Sequence, residues 1–447
     1  MTRGRTLVLI SLAAGALVRV AALPLPGAGD VDAWKVWSYH AVADGVTRLY
    51  GTGSPPQYTD FAFHDKVASV TYPPLALYEL GAVGWLYSRA TGGRFPDTVA
   101  LTVTMKTLPV VFDVGIVATL FVALRRMGSD GQARWATVAY WLNPAALASA
   151  SVGGYLDTLL ALPVLGALVA AIAGAPAVAG TLAACAVLTK PQGVFILPAV
   201  LLAVWNAGDA QHALKRAFAG ALGGLVASAI ILAPMIAAGV LPNMIHMLRT
   251  IFDADSLSMS AYNFWWLAGH AMTVAYASMR GGSLWTALTA PVVYVSFDRA
   301  AAHGLVHLRA VGTVLAAASI GWGLWIGRRA RDLALVAAVA GFSVYAYSML
   351  ATRAHENHSF LAVPLLVAAA AGRKPFGPVL AAVSAVCTLN LVFYGVASDD
   401  GRFTPPHMLT VVDTTLLLAL FGCVTLFWFA AVLVRECRSA RTAAEYA

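Results

Sequence analysis

Residues 100–124 read ALTVTMKTLPVVFDVGIVATLFVAL, an apolar run interrupted only by Lys106 and Asp113 and closed at once by Arg125 and Arg126. A helix needs about 20 such residues to cross a bilayer, whereas the strands of a membrane barrel alternate apolar and polar positions. This run is long enough and does not alternate, so it predicts a spanning helix. Comparable runs lie at 6–23, 133–149, 155–173, 175–190, 191–206, 216–238, 309–326, 332–350, 358–372, 377–397 and 409–434. The chain therefore reads as all-α, a polytopic transmembrane helical bundle of about 12 spans, with about 11 to 14 compatible with the pattern. Composition agrees. Of 447 residues, 60% are hydrophobic and 11% charged, with mean hydropathy +0.74, where a soluble domain carries roughly 25% charge. A soluble fold is excluded.

The net charge of +8 raises nucleic acid as a partner, but the basic residues fall in small clusters between apolar runs. That is the pattern of helix anchors and topology signals, and nucleic acid is set aside. The four cysteines show neither a disulfide framework nor zinc spacing. Residues 6–23 contain Arg19 and lack a small-x-small cleavage site, so they read as the first span rather than a signal peptide. Short basic connections, such as those holding Arg125, Lys215, Arg328 and Arg373, together with the basic tail, place both termini in the cytoplasm. Two long loops, about 26–98 and 239–308, then face outward with the bilayer between. Pro74 to Tyr87 and Phe264 to Ala277 read as helices lying along that outer interface. Residues 1–372 form the main module, and 373–447 add C-terminal helices and a short basic tail.

Most of the 21 acidic residues fall on the outer face, among them Asp30, Asp32, Asp157, Asp253, Glu356, Asp399 and Asp400. Solvated loops carry charge in any case, so chemistry there needs sharper signals. Gly29 to Trp37 reads GDVDAWKVW and sets two carboxylates directly after the first span, with Trp34 and Trp37 as interfacial anchors. A carboxylate so placed can act as general base or hold a divalent ion. Tyr72-Pro73-Pro74-Leu75 fixes two φ angles and orients the chain entering the following helix. Arg19, Lys106 and Asp113 lie within spans and each needs a partner, as an internal ion-pair network or along a substrate pathway. Residues 351–359, ATRAHENHS, gather Arg353, His355, Glu356 and His358 between two spans. Their spacing is not the i, i+4 pattern of a zinc helix, so a phosphate at headgroup level is the favoured ligand over a metal. Lys190, in the turn TKPQG, is either a snorkelling lysine or a second phosphate contact. Asn263 and Trp265 offer a hydrogen bond and a stacking face to a sugar, or an anchor at the membrane surface.

Taken in order, these segments resemble the GT-C class of membrane glycosyltransferases, and within it the dolichyl-phosphate-glucose-dependent glucosyltransferases that extend the N-glycan precursor. The likeness rests on Arg19 in the first span, on Gly29, Asp30, Ala33 and Trp37, and on the identical Tyr72 to Leu75. It continues through Lys106, Thr107 and Asp113, then Asn263 to Trp265, then His355 and Glu356. Asp32 stands where the family has Glu, Lys106 where it has Arg, and Asn357 where a basic residue follows His-Glu.

The resemblance implies a GT-C-like fold and an inverting transfer on the outer face. A hexose, glucose or mannose, would pass from a polyprenyl-phosphate donor to a hydroxyl of a glycolipid or glycan acceptor. Asp30 takes the part of general base. Asp32, Tyr72, Lys106, Asp157, Lys190, Asn263, Trp265, Arg353, His355 and Glu356 take substrate-binding parts. No cofactor is implied, because cationic groups can neutralise the phosphate, and Asp157 is the ligand to expect if a divalent ion takes part. A composition rich in Ala, Gly and Arg points to a bacterial inner membrane and a bacterial polyprenol. The competing reading is a transporter or lipid flippase. It would use Arg19, Lys106 and Asp113 but predicts internal repeats, which the sequence lacks.

Overall fold

The computed structural model describes residues 3–54, 56–57, 59–250, 255–290, 292, 295–301, 304–395 and 408–445; Asp253, Asp399 and Asp400, expected on the outer face, lie outside them. Helices follow one another as α1 (Arg3–Ala22), α2 (Asp30–Ala43), α3 (Pro74–Ala90), α4 (Val99–Met127), α5 (Asp130–Trp141) and the short α6 (Pro144–Ala146). After a π segment at Leu147–Gly153 come α7 (Asp157–Ile172), α8 (Pro176–Thr189), α9 (Leu197–Asn206), α10 (Ala213–Ala237) and α11 (Leu241–Thr250). The chain continues with α12 (Phe264–Met279), α13 (Leu284–Leu288), α14 (Phe297–Ala301), α15 (Leu308–Ile326) and α16 (Leu333–Leu350). It ends with α17 (Ala362–Gly372), α18 (Phe376–Asn390) and α19 (Thr414–Glu445).

Among the described residues seven helices are long and apolar enough to cross a membrane: Gly4–Ala22, Val99–Met127, Ala210–Ala237, Leu308–Ile326, Leu333–Leu350, Phe376–Phe393 and Thr414–Thr442. Four shorter apolar helices, Asp157–Ile172, Pro176–Thr189, Pro191–Asn206 and Ala362–Gly372, match further expected runs. The chain is a multi-pass membrane protein. The run 133–149 is not one helix, because α5 stops at Asn143-Pro144. There the Asn143 side chain accepts from the Ala145 N–H and starts α6.

Helix α16 is buried on nearly every side, packed against α15, α17 and α19. A helix apolar all round belongs at the centre of a bundle. By contrast α1, α10 and α15 leave Leu17, Phe218, Ile230 and Val314 exposed, as helices facing lipid do. A second core joins α2, α3 and the first turns of α4 around Trp34, Trp37, Leu77 and Leu101. Strands β1 (Asp60–Phe63) and β2 (Lys66–Ser69) form an antiparallel hairpin, Asp60 opposite Ser69, that packs on α2. Trp34 and Trp37, expected as interfacial anchors, are instead 1% and 2% exposed inside this core. The Trp34 indole N–H donates to the Gly154 carbonyl at 3.1 Å.

Candidate active site

Four chain segments converge where α1 ends. Prolines 24 and 26 stop that helix, and the Ala28 N–H donates to the Gly153 carbonyl at 2.9 Å, which pins the chain against the π segment. Asp30 is then the first residue of α2. Its side chain is half-buried and, among the described residues, forms no hydrogen bond or ion pair. Burial pushes its carboxyl up to about 6, helped by the charge of Glu356 and opposed by Lys190 and His355.

Asp157 opens α7 and Lys190 follows the last residue of α8. These antiparallel helices are joined by a short turn, which brings the two side chains to one level. The Lys190 Nζ lies 2.6 Å from Asp157 Oδ1, and both side chains are almost wholly buried. The same ammonium stands 5.4 Å from the ring centre of Tyr72. Tyr72 is held there by Pro73 and Pro74 and by edge contacts with Trp34 and Trp37, at 5.2 and 5.4 Å between ring centres.

The fourth segment is the loop between α16 and α17. Arg353 takes φ 60°, and its N–H donates to the Leu257 carbonyl at 3.0 Å. The Met259 N–H donates to the Ala354 carbonyl at 3.0 Å, so residues 257–260 run beside the loop. Glu356 Oε1 accepts from the Tyr155 hydroxyl at 2.9 Å, and its backbone carbonyl accepts from Asn390 at 3.1 Å. His355 Nδ1 lies 4.0 Å from Glu356 Oε2. Burial raises the Glu356 carboxyl and lowers the His355 imidazole, the latter partly restored by Asp30. Beside Asp157, the Oδ1 of Asn357 is buried without a hydrogen-bond partner. A buried orphan of this kind costs free energy until water or a ligand meets it.

Asp30, Tyr72, Asp157, Lys190, His355 and Glu356 are thus brought together, whereas Asp32, Lys106, Asn263 and Trp265 are taken up elsewhere. Asp32 is two positions from Asp30 on a helix, hence on the opposite face. It is half-exposed, near Lys35 at 3.4 Å and Lys66 at 3.8 Å. Lys106 is fully buried and donates to the Ala22 and Leu25 carbonyls at 2.8 Å each, capping the end of α1. Asn263 caps α12 through the Trp265 and Trp266 N–H groups and donates to the Ser348 carbonyl. The Trp265 indole donates to the Leu350 carbonyl at 2.7 Å. Both tie α12 to the end of α16, and neither offers a free polar edge to a sugar. The Arg353 guanidinium lies 5.8 Å over the Phe297 ring, on the same loop as His355 and Glu356. His358, expected as part of the phosphate-binding group, joins the cluster, and so do Tyr155, Gln192 and Asn357, which were not singled out as site residues. Tyr155 gave no sequence signal beyond its nearness to Asp157.

A carboxylate with no partner, a buried ammonium and an imidazole can together take a proton from a hydroxyl and hold an anion beside it. Among the described residues no group of three His, Cys, Asp or Glu side chains could hold a metal ion. No protein-family model matches the sequence, and no curated protein matches it. Solved structures do match. ArnT from Cupriavidus metallidurans bound to undecaprenyl phosphate superposes with a TM-score of 0.50 at 14% identity, over 98% of this chain and 78% of that one. The same protein in the apo state gives 0.51 at 16% identity, over 97% and 77%. An oligosaccharyltransferase from Archaeoglobus fulgidus aligns at 0.42 and 14% identity, over 96% of this chain and 55% of that one. The chain thus shares the fold of ArnT, a GT-C-like helical bundle.

Proposed function

We propose that the chain is an inverting glycosyltransferase that moves a hexose from a polyprenyl-phosphate donor to an acceptor hydroxyl on the outer face of the membrane. The observation that carries this reading is Asp30, a carboxylate without a hydrogen-bond partner among the described residues, set among Lys190, His355 and Glu356. The fold adds support, since ArnT of the same fold was crystallised with undecaprenyl phosphate. In the reaction, Asp30 takes the proton of the acceptor hydroxyl as its oxygen attacks the anomeric carbon from the face opposite the phosphate. The bond from that carbon to the phosphate oxygen breaks, and the electron pair leaves with the polyprenyl phosphate. The leaving phosphate needs no proton, so one base suffices.

Lys190 is the cation in reach of that phosphate, and the His355 N–H is a further donor to it. Asp157 keeps the Lys190 ammonium charged and aimed, and Tyr155 does the same for Glu356. The charge of Lys190, with the His355 N–H as a neutral donor, makes the reaction independent of a divalent ion. A transporter is less well supported, because Arg19 and Asp113, the groups that favoured it, close on each other. Arg19 Nε and Nη2 donate to Asp113 Oδ2 at 3.0 and 2.8 Å. The deciding experiment offers the purified protein polyprenyl-phospho-glucose and polyprenyl-phospho-mannose with a mixed glycolipid acceptor. Release of polyprenyl phosphate that disappears in Asp30→Asn is expected. Release that persists undiminished in Asp30→Asn, or none from either donor, overturns the reading.

A further inference from the structure

Two segments of the candidate site are joined by a contact that the proposed reaction does not use. Lys190 begins a 3₁₀ turn, Pro191–Ile196, that contains Gln192 and Phe195. His355 and Glu356 lie on the loop after α16, which also carries His358. The Gln192 amide and the His358 ring meet across 166 residues of chain, with 2.6 Å between Gln192 Nε2 and His358 Nε2. The other ring nitrogen is also occupied, since the His355 backbone N–H donates to His358 Nδ1 at 3.2 Å.

That second bond decides the proton. A ring nitrogen that accepts a hydrogen bond carries no hydrogen, so the neutral imidazole has its N–H at Nε2. Two donors cannot face each other at 2.6 Å, and Gln192 Oε1 is at the same time buried without a partner. Amide oxygen and nitrogen are nearly the same size. Turning the Gln192 amide by half a turn pairs Oε1 with His358 Nε2–H and removes both conflicts. The ring is further fixed by stacking: His358 lies 5.6 Å from Tyr347 at 27°, and Tyr347 lies 3.8 Å from Phe195 at 24°.

We infer that His358 is a positioning residue whose neutral Nε2–H, bound to Gln192 Oε1, latches the His355 loop to the Lys190 turn and so sets the spacing of the two groups that hold the donor phosphate. The latch rests on the proposed glycosyl transfer for its purpose but not for its existence. Phe195 and Tyr347 keep the ring in plane, and the His355 N–H selects its tautomer. Neither Gln192 nor His358 touches the reacting atoms, so they act by placing Lys190 and His355. A displacement of about 1 Å at such groups costs on the order of a hundredfold in rate.

The test uses Gln192→Leu, His358→Phe, which keeps the stack on Tyr347, and the double variant, all in the full chain. Hydrogen exchange reads the latch without any substrate. Exchange of the 353–359 segment should rise several-fold in Gln192→Leu, although that substitution lies on another segment. Unchanged exchange overturns the proposal whether or not the protein is active. Turnover reads the purpose. Each single variant should lower kcat roughly tenfold to a hundredfold with donor KM changed much less, and the double variant should be no slower than the worse single. Losses that multiply in the double variant, or that fall on KM alone, overturn the positioning role. Raised exchange with no transfer by the wild-type protein leaves the latch standing and rejects the glycosyltransferase reading instead.

Discussion

Two buried clusters of charge among the described residues are built in opposite ways. In the first, Asp113 on α4 receives two hydrogen bonds from Arg19, and its other oxygen accepts from the Tyr140 hydroxyl. Arg19 also donates to the Trp141 carbonyl and lies 3.6 Å over the Trp141 ring. Every strong valence there is met by protein. In the second, among the described residues, Asp30 forms no hydrogen bond or ion pair, and Asn357 Oδ1 is buried without a hydrogen-bond partner. A buried ion pair is kept when its hydrogen bonds close on themselves, and a pocket is marked by bonds left open. Burial of charge therefore does not separate scaffold from site, whereas completeness of bonding does.

Turnover measures the contrast most sharply at Asp30. Asp30→Asn should lower kcat by about two to four orders of magnitude with folding and donor binding retained. The wild-type rate should also fall as pH drops through about 6, where the Asp30 carboxylate takes up a proton and can no longer accept one. A limb near pH 4 would mean that Asp30 feels ordinary solvent. Lys190 comes next. Lys190→Met should cost about 2–4 kcal/mol of transition-state stabilisation, and the loss should persist when Asp157→Asn removes the carboxylate left unpaired. Recovery in that double variant would show that Lys190 serves Asp157 alone.

The closed cluster should behave in reverse. Arg19→Met should cost about 3–5 kcal/mol of stability, because Asp113 is left charged and buried, yet kcat of the folded fraction should stay within about twofold. A large fall in kcat at unchanged stability would move Arg19 into the reaction. The smallest effect is expected from chelation: EDTA should leave the rate unchanged, since Lys190 supplies the positive charge and His355 a further hydrogen-bond donor. Strong inhibition reversed by magnesium would direct attention to Asp157.

The sequence pattern was legible at the scale of whole helices and much less at the scale of contacts. Apolar runs locate the helices because burial in lipid imposes a length on each one. The start of α2 was not visible: with Gly29 to Trp37 read as loop, Asp30 and Asp32 look alike, and helical geometry sends them to opposite faces. Lys106 and Asp113, two turns apart on one helix, suggest a shared network, yet each is satisfied by α1 at a different point, Lys106 at its terminal carbonyls and Asp113 at Arg19. Lys190 and Asp157 pair across 33 residues, and Tyr155 and Glu356 across 201. No local periodicity encodes such meetings, because they depend on how spans pack. Gln192 and His358 were in view as letters but not as a pair for the same reason.

The bond between Arg19 and Asp113 also bears on how the protein enters its membrane. Asp113 follows Arg19 by 94 residues, so at about 5–20 residues per second the ribosome delivers it about 5 to 20 seconds later. Until then α1 carries a guanidinium with no counter-ion, a burden of about 2.5–3.5 kcal/mol for an arginine at the centre of a helix entering through the translocon. Arg19 sits in the last turn of α1, and from there its long side chain reaches the water interface and escapes most of that burden. Arrival of α4 replaces the water with Asp113, which Tyr140 of α5 then holds, and draws the guanidinium inward. The seating depth of α1 is thus settled by a helix made after it.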